Sequence, residues 1–282
     1  MEKNTELNYF DLPKKTIPFF NKRWTPIYLE HGKIHVEGSG VRWINKDGQK
    51  IVLPVASISC ILVGPGTSIT HEAIRVCANS NTLIAWVGRE GFKFYSIGVI
   101  NVERNSNIEK QAKFFSSPQK KKNLCYKMFR YRFKEDISEK TIKQLRGEEG
   151  QRVKKVYLNY KILYGVPWKG RKYDKDNIFA CDNINYALNI SNYALYAYCL
   201  SCILVMGFSP SLGFIHSGHS LSFVFDIADL FKDKTSIKSS FYSVGAFSKR
   251  PPVDSLIANL KMFIENEKIS KLLPQFLNEL FD

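Results

Sequence analysis

The sequence has no apolar run long enough to cross a bilayer. Its longest, Tyr193 to Phe208, is 16 residues with Ser201 inside, short of the roughly 20 that a membrane span requires, so this run predicts a buried helix. Met1 to Glu6 is polar and no apolar stretch follows, so no secretory leader is expected and the cytoplasm is the expected compartment. Cysteine is sparse: Cys60, Cys77, Cys125, Cys181, Cys199 and Cys202 all lie in apolar or mixed stretches, and disulfides are not expected in a reducing cytosol. Cys199 and Cys202 form one C-x-x-C pair. No second pair of ligands stands nearby at metal spacing, so these are read as buried thiols rather than structural zinc ligands. P-loop, G-x-S-x-G and H-E-x-x-H motifs are all missing. Gly64-Pro-Gly and Gly88-Arg-Glu-Gly read as turns, not phosphate cradles. Acidic residues are in short supply, 26 against 41 Lys plus Arg, a net charge of +15. Such a surface attracts polyanions, either nucleic acid or an anionic membrane.

What is present suffices for a substantial core: 44% of the 282 residues are hydrophobic. The expected class is α+β, an N-terminal β-sandwich-like domain with one short helix followed by an all-α domain. Residues 1–100 read as β. Short strands flank His31-Gly32, Asp47-Gly48 marks a hairpin turn, and Ser59–Val63 and Leu83–Val87 are apolar strands. One helix is expected over Thr70–Asn79, with Thr70 as its N-cap. Residues 101–108 are polar and aperiodic and read as a linker, and residues 109–282 as helical. Ser117-Pro118 opens a helix whose Cys125, Met128, Phe129 and Phe133 form an apolar stripe. Its Lys120, Lys121, Lys122, Lys127, Arg130, Arg132 and Lys134 form either a solvated face or a phosphate-contacting one.

Two segments carry candidate chemistry. In Thr141–Leu163, residues Ile142, Leu145, Val153, Val156 and Tyr160 share a helical face, and Glu149 lies on that face. A carboxylate turned towards a core must be paired, protonated or bound to a metal. A salt bridge to an arginine and a metal site are both open readings. Gly147 and Gly150 flank the acid, and two helix-interior glycines suggest close approach of another backbone or of a ligand. The second segment is a Gly/Pro/Ser loop holding His216 and His219, followed by a helix on which Asp226 and Asp229 share a face. Two neighbouring aspartates and an imidazole form an oxygen-rich set that suits Mg2+ or Mn2+. Spacing alone does not bring Glu149 to His216.

Three runs then stand out together: Gln144-Leu-Arg-Gly-Glu-Glu-Gly150, Gly213-Phe-Ile-His216-Ser-Gly, and Leu221-Ser-Phe-Val-Phe-Asp226-Ile-Ala-Asp229. In kind and order they resemble the motifs of the CRISPR-associated "Cas-one" integrases of prokaryotes. Leu53-Pro-Val, Gly64-Pro-Gly-Thr, His71-Glu-Ala-Ile-Arg75 and Tyr164-Gly-Val-Pro-Trp-Lys-Gly-Arg-Lys-Tyr173 resemble the subtype I-E branch. The resemblance implies a metal-dependent DNA integrase and endonuclease that inserts short fragments into a repeat array by 3′-hydroxyl transesterification. It implies metal ligands Glu149, His216 and Asp229 with Asp226 as a further acid, Mg2+ or Mn2+ as the ion, and DNA contacts at Arg75, Lys93, Tyr173, Tyr196 and His219. It also implies a homodimer, with a β-domain for dimerisation and DNA contact, and a small "Cas-two" partner acting on fragment and repeat DNA. His31, Ser68 and His219 stand where that branch has Tyr, Arg and Lys. Two other readings are a non-catalytic DNA-binding subunit with a degenerate site, and an anionic-membrane binder using the Pro118 helix.

Overall fold

The computed structural model describes residue 23 and residues 26–38, 40–89, 94–98, 106–172 and 181–282. Two four-stranded sheets form the N-terminal part. The first has β1 (Ile27–Leu29), β5 (Cys60–Val63), β7 (Leu83–Val87) and β8 (Phe94–Ile97), in the order β1-β5-β7-β8. Its first three strands are parallel and β8 runs antiparallel to β7. The second has β4 (Lys50–Leu53), β3 (Gly40–Asn45), β2 (Gly32–Glu37) and β6 (Thr67–Ile69), in that order. Here β2-β3 and β3-β4 are antiparallel and β6 lies parallel to β2. The Asp47-Gly48 turn joins β3 to β4 as the sequence predicts. The bend at His31-Gly32 does something else: β1 and β2 do not pair, and the bend carries the chain from one sheet to the other. His31 takes φ +53° there.

The first sheet is covered on both faces, which explains why β5 is an unbroken apolar run. Side chains alternate along a strand, and the two faces meet different partners. Cys60, Leu62, Leu83, Ala85 and Val87 join the core of the helical part. Ile61, Val63 and Ile84 join a second core with Ile34, Val41 and Leu53 of the other sheet, closed by Ala73 and Cys77. The last two belong to α1 (His71–Asn79), whose N-cap Thr70 accepts from the Ala73 N–H. Two sheets packed through one core form the expected sandwich.

From Ser106 on, the described residues are helical: α2 (Ser106–Ser116), α3 (Pro118–Phe133), α4 (Ile142–Tyr164), α5 (Asn183–Val205), α6 (Ser222–Asp229), α7 (Lys238–Ala246), α8 (Val253–Asn266) and α9 (Ile269–Leu280). Helix α2 thus starts inside the polar stretch read as a linker. Ser117 caps α3 with Pro118 in its first turn, and Thr141 and Gln144 close a capping box on α4. Helix α5 is the axis, packed against α6, α7, α8 and α9 as well as β5. Because it begins ahead of the Tyr193–Phe208 run, at Asn183, the whole helix is long and apolar enough to cross a membrane where the 16-residue run alone is not. Most of it is nevertheless buried inside the fold, as the sequence predicts. Cys199 and Cys202 on it are buried free thiols. Burial pushes the Cys199 thiol well up, and Cys202 Sγ meets Met206 Sδ at 3.7 Å.

Candidate active site

The loop 207–221 is fastened from three sides. Gln111 of α2, fully buried, donates to the carbonyls of Ser209 (3.0 Å) and Leu212 (3.1 Å) and accepts from the Ser209 N–H (2.7 Å). Asn107 donates to the Met206 carbonyl at 2.7 Å. Gly213 lies so close to the start of α6 that a Cβ there would stand 2.5 Å from the His216 carbonyl oxygen and 2.6 Å from Ser222 Cβ. Only a glycine fits without displacing the loop.

Asp226, on α6 and 1% exposed, ties the same loop from within. Its carboxylate accepts the backbone N–H groups of Phe214 (2.5 Å), Ile215 (3.1 Å) and His216 (2.8 Å), and Oδ1 lies 2.8 Å from His216 Nδ1. A carboxylate only accepts, so Nδ1 carries the proton and Nε2 of the neutral ring keeps its lone pair. That nitrogen is turned to Asp229, 3.8 Å from Oδ2. The Asp226 hydrogen bond raises the His216 pKa above its usual value against the opposing effect of burial, with Asp229 adding to the rise.

Glu149, from the middle of α4, completes the group. Glu149, His216, Asp226 and Asp229 line one small cavity of about 10 Å³ together with Arg132, Met128, Phe129, Ile215 and Leu230, about the room of one water-sized particle. Glu149, His216 and Asp229 also lie on the wall of a much larger cleft of about 1070 Å³, which includes Arg146, Tyr157, Tyr196, His219 and Lys232. The structure thus brings His216 and Glu149 together, which spacing could not show. Asp226 backs this group rather than facing the cleft.

Cations of the chain engage both carboxylates that line the cleft. Arg132 pairs with Glu149, and Lys232 Nζ lies 2.5 Å from Asp229 Oδ1 and 4.7 Å above the Tyr196 ring. Burial raises the Glu149 carboxyl pKa, and Arg132 offsets only part of the rise. For Asp229 burial also pushes upward, but Lys232, Arg132 and His216 together outweigh it and the net shift is downward. Burial presses the Lys232 ammonium down, but Asp229 and Tyr196 outweigh it and raise its pKa. Two carboxylates and a neutral imidazole around a water-sized hole fit a hard divalent ion by donor type. Among the described residues, however, no three His, Cys, Asp or Glu side chains are already gathered closely enough to enclose one. Arg132 and Lys232 pair with the two cleft-side carboxylates instead.

Several sequence expectations change here. Arg132 does not share the exposed face of α3 with the lysines: it turns inward to the cleft, its side chain 13% exposed. Lys127 reaches the carbonyls of Glu279 and Leu280 at the end of α9. Lys121 lies over the Phe115 ring at 4.5 Å. Gly147 and Gly150 admit no close backbone, since a Cβ at either would meet nothing within 4 Å; Gly150 borders the large cleft. Tyr196 and His219 line the cleft as well. His219 Nδ1 accepts the Leu221 N–H at 3.0 Å. Arg75, on α1, is bound by Glu72 of the same helix, Nε to Oε2 at 2.9 Å, and does not line the cleft. Lys93 and Tyr173 lie outside the described residues. Gln111 and Lys232 were not singled out from sequence. Lys232 carried a signal, three residues after Asp229 on a helical face; Gln111 carried none.

The fold agrees with that of solved relatives. The family profile described as "CRISPR associated protein Cas1" matches residues 130–238, a span that holds Arg132, Glu149, His216, Asp226, Asp229 and Lys232. The "CRISPR-associated endonuclease Cas1 2" of Chlorobaculum tepidum is 40% identical over 229 residues, covering 81% of this chain and 77% of the relative. The "CRISPR-associated endonuclease Cas1" of Escherichia coli K12 is 34% identical over 264 residues, covering 93% and 86%. Among solved structures, TtCas1 superposes with a TM-score of 0.80 at 32% identity, covering 92% of this chain and 98% of that one. Its DNA complex gives 0.79 at 33% identity, with 90% of each chain covered. With this identity spread over most of both chains, and the same fold, the chain belongs to the Cas1 family of CRISPR-associated endonucleases.

Proposed function

We propose that this protein is a divalent-metal-dependent DNA strand transferase and endonuclease that inserts short DNA fragments into a CRISPR repeat array. The observation that carries the reading is the convergence of Glu149, His216 and Asp229, from three separate segments, on one water-sized cavity in the wall of a large cleft. These three would hold Mg2+ or Mn2+. A bound ion supplies positive charge beside the scissile phosphate and so favours attack by a hydroxyl oxygen. The chain's own groups do the rest. Asp226 fixes the His216 ring with Nε2 towards the cavity, as outer carboxylates do for ligating histidines. Arg146, His219 and Lys232 line the cleft where phosphates would lie, and Tyr196 offers a ring face.

In the reaction the fragment's 3′-hydroxyl oxygen forms a bond to a repeat phosphorus and the bond to the repeat's own 3′ oxygen breaks. The proton of the attacking hydroxyl ends on the departing 3′ oxygen. One phosphodiester replaces another, so no energy source is consumed. With water as the attacking group the same site hydrolyses DNA.

The solved DNA complex of TtCas1 supports DNA as the ligand; we read it as duplex, with Arg75, Lys93, Tyr173 and the exposed lysines of α3 as further contacts. The subtype I-E-like branch, the homodimer, the small Cas-two partner and a cytoplasmic location are parts of the same reading. So is the division into a β-domain to about residue 100 and a catalytic α-domain from about 109. A second reading, a DNA-binding subunit without catalysis, draws on the two cations that neutralise Glu149 and Asp229. Strand transfer separates them. A short duplex with free 3′ ends is incubated with a supercoiled repeat plasmid and Mg2+ or Mn2+, with and without the small partner. Metal-dependent joining that is lost in Glu149→Ala and His216→Ala supports the first reading. Tight DNA binding with no joining under any condition supports the second.

A further inference from the structure

Two of the three groups read as ion ligands already hold a cation of the chain, and neither pair sits on open surface. Side-chain exposure is 13% for Arg132 and 19% for Glu149, and 19% for both Lys232 and Asp229. Each cation also lines the large cleft, and Arg132 lines the small cavity too. Each therefore has a carboxylate behind it and, in front, the space a DNA strand would fill. Lys232 has a second seat in the Tyr196 ring face, 4.7 Å away, which can keep its ammonium partly satisfied when it leaves the carboxylate.

Charge balance couples the ion to the strand. Glu149, Asp229 and the buried Asp226 behind His216 set three carboxylates against two fixed cations, a net −1. Adding a divalent ion leaves a half-buried site at +1, where repulsion is weakly screened. Phosphates in the cleft restore the balance, and a guanidinium or ammonium within reach of one will pair with it. We propose that Arg132 and Lys232 are exchangeable counter-ions, which neutralise Glu149 and Asp229 while no ion is bound and transfer to DNA phosphates when a strand enters, so that DNA binding and ion uptake promote each other. This rests on the reading of Glu149, His216 and Asp229 as ion ligands. It makes the DNA-free protein a poor metal binder and confines nuclease chemistry to the loaded complex. Linkage requires the effect to be reciprocal.

The test is Mn2+ titration of the DNA-free protein by calorimetry, with Lys232→Met and Lys232→Arg beside the wild type. Lys232→Met keeps the stem and drops the charge. It should bind Mn2+ on the order of tenfold more tightly, and its melting temperature should rise more with Mn2+ than that of the wild type. Lys232→Arg should bind as the wild type does. If Lys232→Met does not fold, Arg132→Met gives the same comparison at Glu149. In a second arm, the affinity for a short duplex with blocked 3′ ends is measured at constant ionic strength, with and without Mn2+. The wild type should gain several-fold more from Mn2+ than His216→Ala, which reports only ion binding to the DNA itself. Lys232→Met binding no tighter than wild type, or equal Mn2+ gains for wild type and His216→Ala, overturns the proposal. Wild type and all variants failing to bind Mn2+ with or without DNA sinks the ion-site reading beneath it.

Discussion

At the scale of single residues, the chemistry turns on which partner each ionisable group finds. Arg132 illustrates what sequence can and cannot decide. Composition placed it with the lysines of α3, but it stands four residues after Met128 and three after Phe129, on the buried stripe. Helical spacing was the better guide, and the inward Glu149 was its partner. Asp226 could be placed on a helix face, but its three backbone donors come from a loop whose path no periodicity reveals. The His216–Asp226 contact makes stability depend on pH. Because the folded pKa of His216 is raised above 6.5, its pairing stabilises the protein fully below that value, and the benefit fades as pH rises through the folded pKa. Asp229 behaves oppositely. Its folded pKa is lowered from 3.8, so its contribution is present above 3.8 and lost as pH falls through the folded value. NMR titration of the His216 ring should give a pKa above the ordinary imidazole value, and Asp226→Asn should bring it down. An unchanged His216 pKa in that variant contradicts the assignment.

At the scale of elements, caps and turns were legible and loops were not. Thr70, Ser117-Pro118 and Thr141 mark the starts of α1, α3 and α4, because capping is local chemistry written within four residues. The strands β5 and β7 were legible from β-branched and apolar runs, but the separation of β1 from β2 was not, since sheet partners are chosen across distance. The loop 207–221 depends on Gln111, about a hundred positions earlier in the chain. Gln111→Ala removes three hydrogen bonds and leaves buried backbone groups unpaired, which should destabilise the protein by roughly 3 kcal/mol. Because the loop carries His216, strand transfer should fall more steeply than global stability. Urea denaturation together with the joining assay checks this. A variant that loses stability but joins DNA normally shows that the loop holds His216 without Gln111.

At the scale of the whole molecule, the sandwich and the helices share one core. Leu62, Leu83 and Ala85 of the first sheet are buried with Leu195, Tyr198 and Cys202 of α5, so one sheet face belongs to each half of the chain. The class α+β was legible because strand-period and helix-period segments are cleanly segregated along the sequence. The shared core was not, since an apolar strand does not say what covers it. Leu83→Ala should cost about 3 kcal/mol as a buried large-to-small change. The loss should appear as one shifted transition, with strand and helix signals unfolding together by circular dichroism and tryptophan fluorescence. Two separated transitions, only one of them shifted, would show that the halves fold independently.

Both proposals stand on Glu149, His216 and Asp229 together holding the divalent ion. The most direct measurement is anomalous scattering from crystals of the protein bound to a short DNA duplex and soaked in Mn2+. The expected result is a manganese peak enclosed by Glu149, His216 Nε2 and Asp229, with Arg132 and Lys232 turned to phosphate oxygens. A peak at another site, or none in crystals whose protein joins DNA in Mn2+, would contradict it.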